Sequence, residues 1–384
     1  MTTFTEIAFW IAAVWIAYVL VLYPGLTVVV GSMLQRVRKP IRGDETPRIS
    51  FLISAYNEEK VIAHKLRLTL ELDYPPDRIE VIVVSDASTD RTDEIVKELG
   101  DPRVRLHRVE GRVGKTAALN SAALTATGEL LVFSDATGQY SHNALRALAA
   151  RFADPSVGCV SGRVVYRYGH DVTSQGFRGY QKVAVAVRQA ENSFGDQTSV
   201  SGSIHAVRRE LFRPSAPAFS PDVLDAVHTV VHGRRVVYEA EAVSLEDSRS
   251  SSSQEFKARV RISVQNNAMA PYIARELVRS RRFFYLFQMV SHKLMRWWLW
   301  LPLSLALVSS LALATESAVF QAVVAAQLAF YAVAVAGLAR EWSSRRFGAV
   351  AAVASFFVMG NVAMCVGTIQ GLLGAERAAW EPQR

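Results

Sequence analysis

Three polar clusters in this 384-residue chain directly follow short, apolar, β-rich runs. Tyr56-Asn57-Glu58 follows Arg48–Ala55, Asp86 follows Ile79–Ser85, and Asp135 follows Glu129–Ser134. A lysine, Lys115, opens a stretch of helical spacing, Lys115–Ala126, between the second and third clusters. A cation at a helix start near strand ends is a good partner for a diphosphate, because the helix N-terminus already favours negative charge. One phosphate motif is excluded. Gly114-Lys115-Thr116 resembles the end of a P-loop, but that pattern needs a glycine where Val109 stands, and Gly111 is too close.

The elements that must position these residues alternate. Ile79–Ser85 (IEVIVVS) is a near-continuous apolar run of the kind buried in a parallel sheet. Val104–Val109 reads as a third strand, while Glu58–Leu72 and Asp90–Leu99 have helical spacing, with Asp90 as a candidate N-cap. Alternation of this kind predicts an α/β sheet with right-handed crossovers. Ligands of such sheets bind outside the carboxyl ends of the strands, where the three clusters fall.

Composition divides the chain. Half of the residues are hydrophobic and 20% charged, below the quarter usual for a soluble domain. Ile7–Val30 carries no charge and is long enough to cross the ~30 Å hydrocarbon layer, which needs about 20 residues. It lacks the basic start and the cleavage site of a signal peptide. Trp298–Ala314, Ala318–Ala339 and Ala349–Leu372 are three further expected spans. Cys159 and Cys365 are the only cysteines, which excludes a disulfide scaffold or a cysteine zinc site.

Arg36, Arg38, Lys39 and Arg42 follow the first span, and Arg340, Arg345 and Arg346 separate the last two. Basic loops stay inside, so the expectation is an inner-membrane, multi-pass protein with its soluble part in the cytoplasm. The net charge of +8 is then a membrane-surface feature, with no nucleic acid implied. Arg275–Trp300 alternates basic and aromatic residues, as in a helix lying in the headgroup plane. The expected organisation is an N-terminal span and basic linker over 1–46, a catalytic unit over 47–247, interfacial amphipathic helices over 248–297, and C-terminal spans over 298–384. The short run Ser248–Ser253 is read as a linker.

Six segments, in this order and on these elements, resemble the membrane-embedded family 2 glycosyltransferases of GT-A fold, such as bacterial cellulose, hyaluronan and poly-N-acetylglucosamine synthases. They are SAYNEE (Ser54–Glu59), VVSDASTDRT (Val83–Thr92), GKTAALN (Gly114–Asn120), FSDATG (Phe133–Gly138), SGSIHAVRRELF (Ser201–Phe212), and SPDVLDAV followed by GRRVVYEAEA. The resemblance implies that Tyr56, Glu58 and Asp86 hold the uracil of a UDP-sugar, while Lys115 pairs with its phosphates. It further implies that Asp135 binds Mg2+ or Mn2+, that Gly202 and Ser203 line the acceptor side, and that Asp222 is the general base, with Asp225 the other candidate. Oxygen ligands and phosphates favour those two metals.

The sequence departs from the family pattern at three places. Thr137 replaces the second acid of Asp-x-Asp and becomes a candidate metal ligand. Pro221 replaces the acid before Asp222. The Gln-x-x-Arg-Trp signature reduces to Arg261, expected at the diphosphate, while Arg296-Trp297 lies beside a span, where Trp297 is expected to anchor in the interface. The resulting expectation is an inverting transferase that extends a polysaccharide and exports it through its own spans. Single addition to a lipid-linked acceptor and a non-catalytic sugar-nucleotide-binding subunit are the alternatives. A transporter fits poorly, because the spans carry almost no ionisable residues.

Overall fold

The computed structural model describes residues 2–35, 41–167, 172–247, 251–341 and 348–374. Arg36, Arg38, Lys39, Arg345, Arg346 and the first half of the expected serine linker, Ser248–Ser250, lie outside the described residues.

Eight strands form one sheet: β1 Ile49–Ala55, β2 Ile79–Ser85, β3 Val104–Arg108, β4 Leu130–Asp135, β5 Gln139–Tyr140, β6 Val157–Arg167, β7 His205–Arg208 and β8 Arg235–Asp247. Their order is β3-β2-β1-β4-β7-β6-β8-β5. The apolar runs β1, β2 and β4, with the more polar β3 at the edge, form its parallel half, and β7 runs antiparallel between β4 and β6. The apolar runs are continuous because both faces of the sheet are covered. Phe51, Ile53, Val81, Val83 and Val132 pack on one face with Ile62, Leu66 and Leu145. Leu52, Ile82, Val84, Leu131 and Phe133 pack on the other with Leu119, Leu224, Val227 and Met269. The chain therefore has the mixed α/β, Rossmann-like GT-A architecture, flanked on both sides by apolar helices.

That second face also receives residues from the segment expected to lie alone in the headgroup plane. Helix Ser252–Arg279 buries Met269, Ile273 and Leu277 in the sheet's core, and helix Phe283–Met289 adds Tyr285 and Met289. Phe283, Phe284 and Phe287 stay exposed, so the amphipathic pattern reflects one face on protein and one free for the interface. Trp297, expected as an interface anchor, packs partly buried against the same core. The apolar patch it meets there removes more of its ring from water than the headgroup layer would.

Among the described residues, three helices are long and apolar enough to cross a membrane, Thr3–Leu34, Ala318–Ala339 and Val350–Leu372, with a fourth crossing if the bent pair Phe283–Trp297 and Trp300–Leu313 forms one span. The expected span Trp298–Ala314 is shorter than the sequence suggested. It is helical over Trp300–Leu313 and meets Phe283–Trp297 at a 57° bend. Its 14 residues rise only about 21 Å against a ~30 Å layer. Helix Tyr23–Gln35, the inner half of the first span, lies against helix Val172–Phe194 at a point where an ideal Cβ on Gly31 would be 2.6 Å from Ala190. Only glycine allows that approach.

Gly31→Val should therefore destabilise the protein in detergent by about 1–3 kcal/mol, the usual cost of overpacking. Gly25→Val, in open space on the same helix, is the control. Equal unfolding midpoints for the two variants would refute close packing at Gly31.

Candidate active site

The parallel register of β1 and β4 puts Ser54 opposite Asp135. Ser54 Oγ donates to Asp135 Oδ1 at 3.0 Å, and Lys115 Nζ forms an ion pair with the same oxygen. Lys115 reaches it because Gly114, at φ 88°, turns the chain into helix Lys115–Leu124, a conformation open to glycine without steric cost. The buried Asp86 carboxylate holds this turn from β2. Its Oδ1 accepts the Val113 N–H at 2.8 Å and its Oδ2 the Gly114 N–H at 3.0 Å. Asp86 is thus a brace for the lysine loop, a role the sequence did not suggest.

The loops after β1 and β2 are linked to each other. Glu58 N–H donates to Thr92 Oγ1 at 2.8 Å, and Thr89 N–H donates to Asn57 Oδ1 at 2.8 Å. Asn57 and Ala87 take positive φ values of 54° and 57°, strained for residues with a side chain. These side-chain bonds stop the helix expected from Glu58 from beginning before Ile62. Glu58 is buried, and the Arg112 guanidinium stacks 4.1 Å from the centre of the Tyr56 ring. Arg112 widens the cationic edge of the cleft, which is lined by Ser54, Tyr56, Asp86 and Lys115.

The lysine helix also anchors the loop ahead of Asp222. Thr116 Oγ1 donates to Phe219 O at 3.1 Å, and the Asn120 amide donates to Ser215 O at 2.7 Å. Both bonds hold the loop that delivers helix Pro221–Val231, which starts with Ser220 as cap and proline in its first turn. Ser220 Oγ donates to the half-buried Asp222 carboxylate. Gly202 lies beside it, with an ideal Cβ 4.0 Å from Asp222 Cβ. The Ser201–Ser203 turn is fixed from below, where Tyr140 Oη donates to Ser203 O at 3.2 Å and His205 Nδ1 to Ser201 O at 2.8 Å.

Asp225, the other candidate base, does not share the opening with Asp222. It is buried, with Oδ2 3.0 Å from His205 Nε2, and the His205 ring stacks on Phe133. One helical turn carries this carboxylate over the helix face and into the sheet, where the pair holds the Ser201–Ser203 turn. His205 was missed by the sequence reading because an isolated histidine in a strand has no signature.

A second layer of charge lies beneath Asp135. Lys65 is buried, donates to Ser134 Oγ at 2.7 Å and to Gly138 O, and so clamps the Asp135–Gly138 turn. Burial lowers its pKa to about 7, against the pull of Asp135 and Glu246. Burial and the nearby Asp135 raise Glu246 to about 7, and its Oε1 has no hydrogen-bond partner.

The oxygen donors fit a small hard cation in part. Asp135 and the exposed Thr137 hydroxyl share one turn, and the unpaired Glu246 oxygen is nearby. No group of three or more His, Cys, Asp or Glu gathers among the described residues, so a diphosphate and water would have to complete the shell. Arg261 is half-buried on helix Ser252–Arg279.

Comparison with known proteins adds a family to this fold and cleft. Residues 50–214 match the glycosyl transferase family 2 model, so the chain carries a family 2 glycosyltransferase domain. A probable glycosyltransferase, YdaM, of Bacillus subtilis is 40% identical over 97 residues, 24% of this chain and 23% of that protein. A β-monoglucosyldiacylglycerol synthase of Nostoc is 28% identical over 199 residues, 48% of this chain and 42% of that one. The match thus spans less than half of either relative. The mannosyltransferase PcManGT of Pyrobaculum calidifontis, solved with GDP-Man and Mn2+, superposes with a TM-score of 0.71 at 22% identity, covering 96% of this chain and 100% of that one. At that identity the likeness is one of fold.

The raised Glu246 gives a pH signature. The folded chain keeps a proton that the unfolded chain loses near 4.5, so this residue's contribution to stability falls as pH rises from 4.5 to 7. In EDTA, Glu246→Gln should lack that component of the pH dependence of the unfolding midpoint. Identical pH profiles for variant and parent would show that Glu246 titrates normally.

Proposed function

We propose that the chain is an inverting membrane glycosyltransferase that moves a sugar from a nucleoside-diphosphate donor, UDP by its resemblance, to an acceptor borne on a lipid at the membrane surface. The observation carrying this reading is the physical link between the Lys115–Asp135 pair at the strand ends and the helix that presents Asp222. Donor and acceptor groups are thereby held on one frame. Tyr56 stacks on the base, Glu58 and the remaining lone pairs of Asp86 accept its N–H, and Lys115 exchanges Asp135 for a phosphate oxygen. Arg261 is the second candidate for the diphosphate. Asp135 and Thr137 would hold Mg2+ or Mn2+, which when bound neutralises charge developing on the departing diphosphate. The acceptor oxygen bonds to the anomeric carbon as the opposite carbon–oxygen bond breaks, and Asp222 takes the acceptor proton. Gly202 leaves room for the acceptor, and Ser203 supports the turn.

The helices Ser252–Arg279 and Phe283–Met289 that lead into the apolar spans favour a lipid-borne acceptor, because they share a core with the catalytic sheet on the side of helix Pro221–Val231. We place the catalytic domain in the cytoplasm of an inner-membrane protein, from the basic flanks. Processive polymer extension with export is the second reading, favoured by the number of apolar helices. A product carrying one added sugar supports the first reading, and a ladder of sizes supports the second.

Two substitutions test the chemistry. Asp222→Asn should bind UDP as the parent does yet lose turnover at least ~100-fold, the lower range for removing a general base. Lost UDP binding would make Asp222 part of the donor pocket. Lys115→Ala should weaken UDP binding about 10–200-fold, the equivalent of a charge-assisted bond of ~1.5–3 kcal/mol. Unchanged affinity would remove Lys115 from the donor site. If neither parent nor variants release UDP from any donor, with or without Mn2+, the chain is a binding subunit.

A further inference from the structure

Gln197, Thr198, Ser199 and Val200 are buried yet belong to no helix or strand. A buried segment of that kind must find partners for its polar groups elsewhere, so its shape is set by its neighbours. The sheet supplies part of the grip. Gln197 N–H donates to Val236 O at 3.0 Å, and Ser201 N–H donates to Ser161 Oγ at 3.0 Å. The rest comes from the segment leading to the apolar helices. Tyr285 Oη donates to Gln197 O at 3.0 Å and Lys293 Nζ to Ser199 Oγ at 2.8 Å, while Thr198 Oγ1 lies 3.4 Å from His292 Nδ1. This loop bears directly on the proposed base. Val200 N–H donates to Asp222 O at 2.9 Å, and Ser201 adjoins Gly202.

His292 is itself held by one atom. Glu191 is fully buried on helix Val172–Phe194, and its Oε1 lies 2.7 Å from His292 Nδ1 and accepts the Tyr23 hydroxyl at 2.9 Å. One carboxylate oxygen thus joins the first span, that helix and the segment Val290–Leu294. Two π-helical turns meet here, Tyr18–Leu22 in the first span and Val290–Leu294 opposite it. Tyr18 Oη donates to Ser291 Oγ at 2.8 Å, and the Tyr23 and His292 ring centres lie 5.9 Å apart. Residues five apart in a regular α-helix point about 140° away from each other. In this span Tyr23 N–H donates to Tyr18 O, the five-residue bond of a π turn. That irregular turn lets one helix face present Tyr18 to Ser291 and Tyr23 to Glu191.

We propose that Glu191 is a positioning residue for Asp222, acting through His292 on the loop 197–201 and coupling that loop to the seating of the first span. This rests on the transferase reading above, in which Asp222 is the general base, and names what keeps that base in register. The path runs from Tyr23 through Glu191, His292 and Thr198 to Val200 and the Asp222 carbonyl. Glu191 acts at one remove and exchanges no proton with substrate. A carboxylate that only pinned helices together would, when removed, loosen the whole fold. One that positions the loop loosens residues 197–201 first.

Amide hydrogen exchange of the full chain in nanodiscs, read together with UDP affinity and UDP release, tests this. Tyr23→Phe removes one hydroxyl and keeps the ring. It should speed exchange of the 197–201 amides about 10-fold, as expected for losing a bond to a charged group. Exchange in the core of the sheet and UDP affinity should match the parent, while UDP release slows by about the same factor as the loop loosens. Glu191→Ala should act in the same direction, and Glu191→Gln, which keeps an acceptor oxygen, should restore most of the protection. Ser32→Ala, whose hydroxyl donates to Val29 O of its own helix at 2.8 Å, is the control on the same span. Parent-like exchange at 197–201 in both Tyr23→Phe and Glu191→Ala would overturn the proposal. So would equal acceleration throughout the chain, which would make Glu191 a support of the whole fold. Faster loop exchange with an unchanged rate of UDP release would leave Asp222 independent of the loop and overturn it too. If the parent releases no UDP from any donor, the transferase reading fails, and selective loop exchange in Tyr23→Phe still supports the link from span to loop.

Discussion

Adjacent parallel strands end at the same height, and in this sheet that constraint brings Ser54 and Asp135 together at the carboxyl edge of β1 and β4. The Lys115 ion pair is built on that meeting. Asp86, one strand away, braces the loop that aims the lysine, and Lys65 clamps the Asp135 turn from within the core. The charges at this edge are therefore gathered during folding. Charge at the edge is also nearly balanced without ligand, which lets a half-exposed carboxylate and lysine share one oxygen.

Helix Lys115–Leu124 gives this arrangement its reach. Its first residue faces the donor cleft, while Thr116 and Asn120 grip the loop ahead of Asp222. A shift of the helix would move both halves of the site together. The buried His205–Asp225 pair does similar work one layer down, since His205 fixes the carbonyl of Ser201 and hence the glycine beside Asp222. Two carboxylates a single turn apart thus have opposite fates, one held at the opening and one in the core.

The membrane helices are not a detachable anchor. Helices Ser252–Arg279 and Phe283–Met289 contribute to the same core as the sheet, and Gly31 lets the first span close on helix Val172–Phe194. The placing of the apolar helices and the geometry around Asp222 are consequently coupled.

Local pattern was enough for β1, β2 and β4, because strands buried on both faces must be apolar throughout, and enough for the long apolar spans, because a bilayer admits little else. It also placed Tyr56, Glu58, Asp86, Lys115 and Asp135 at strand ends and helix starts, where the backbone periodicity itself changes. It was insufficient for β5 to β8, whose mixed residues owe their strand form to neighbours far away in sequence, and for the bent pair that replaces one expected span. Contacts between distant segments decided the rest. Asp225 turned inward because His205 waited there, Asp86 became a brace because Val113 and Gly114 presented their N–H groups, and Glu191 met His292, 101 residues further along the chain. Periodicity tells which face of an element a residue occupies, and only packing between elements determines what that face meets.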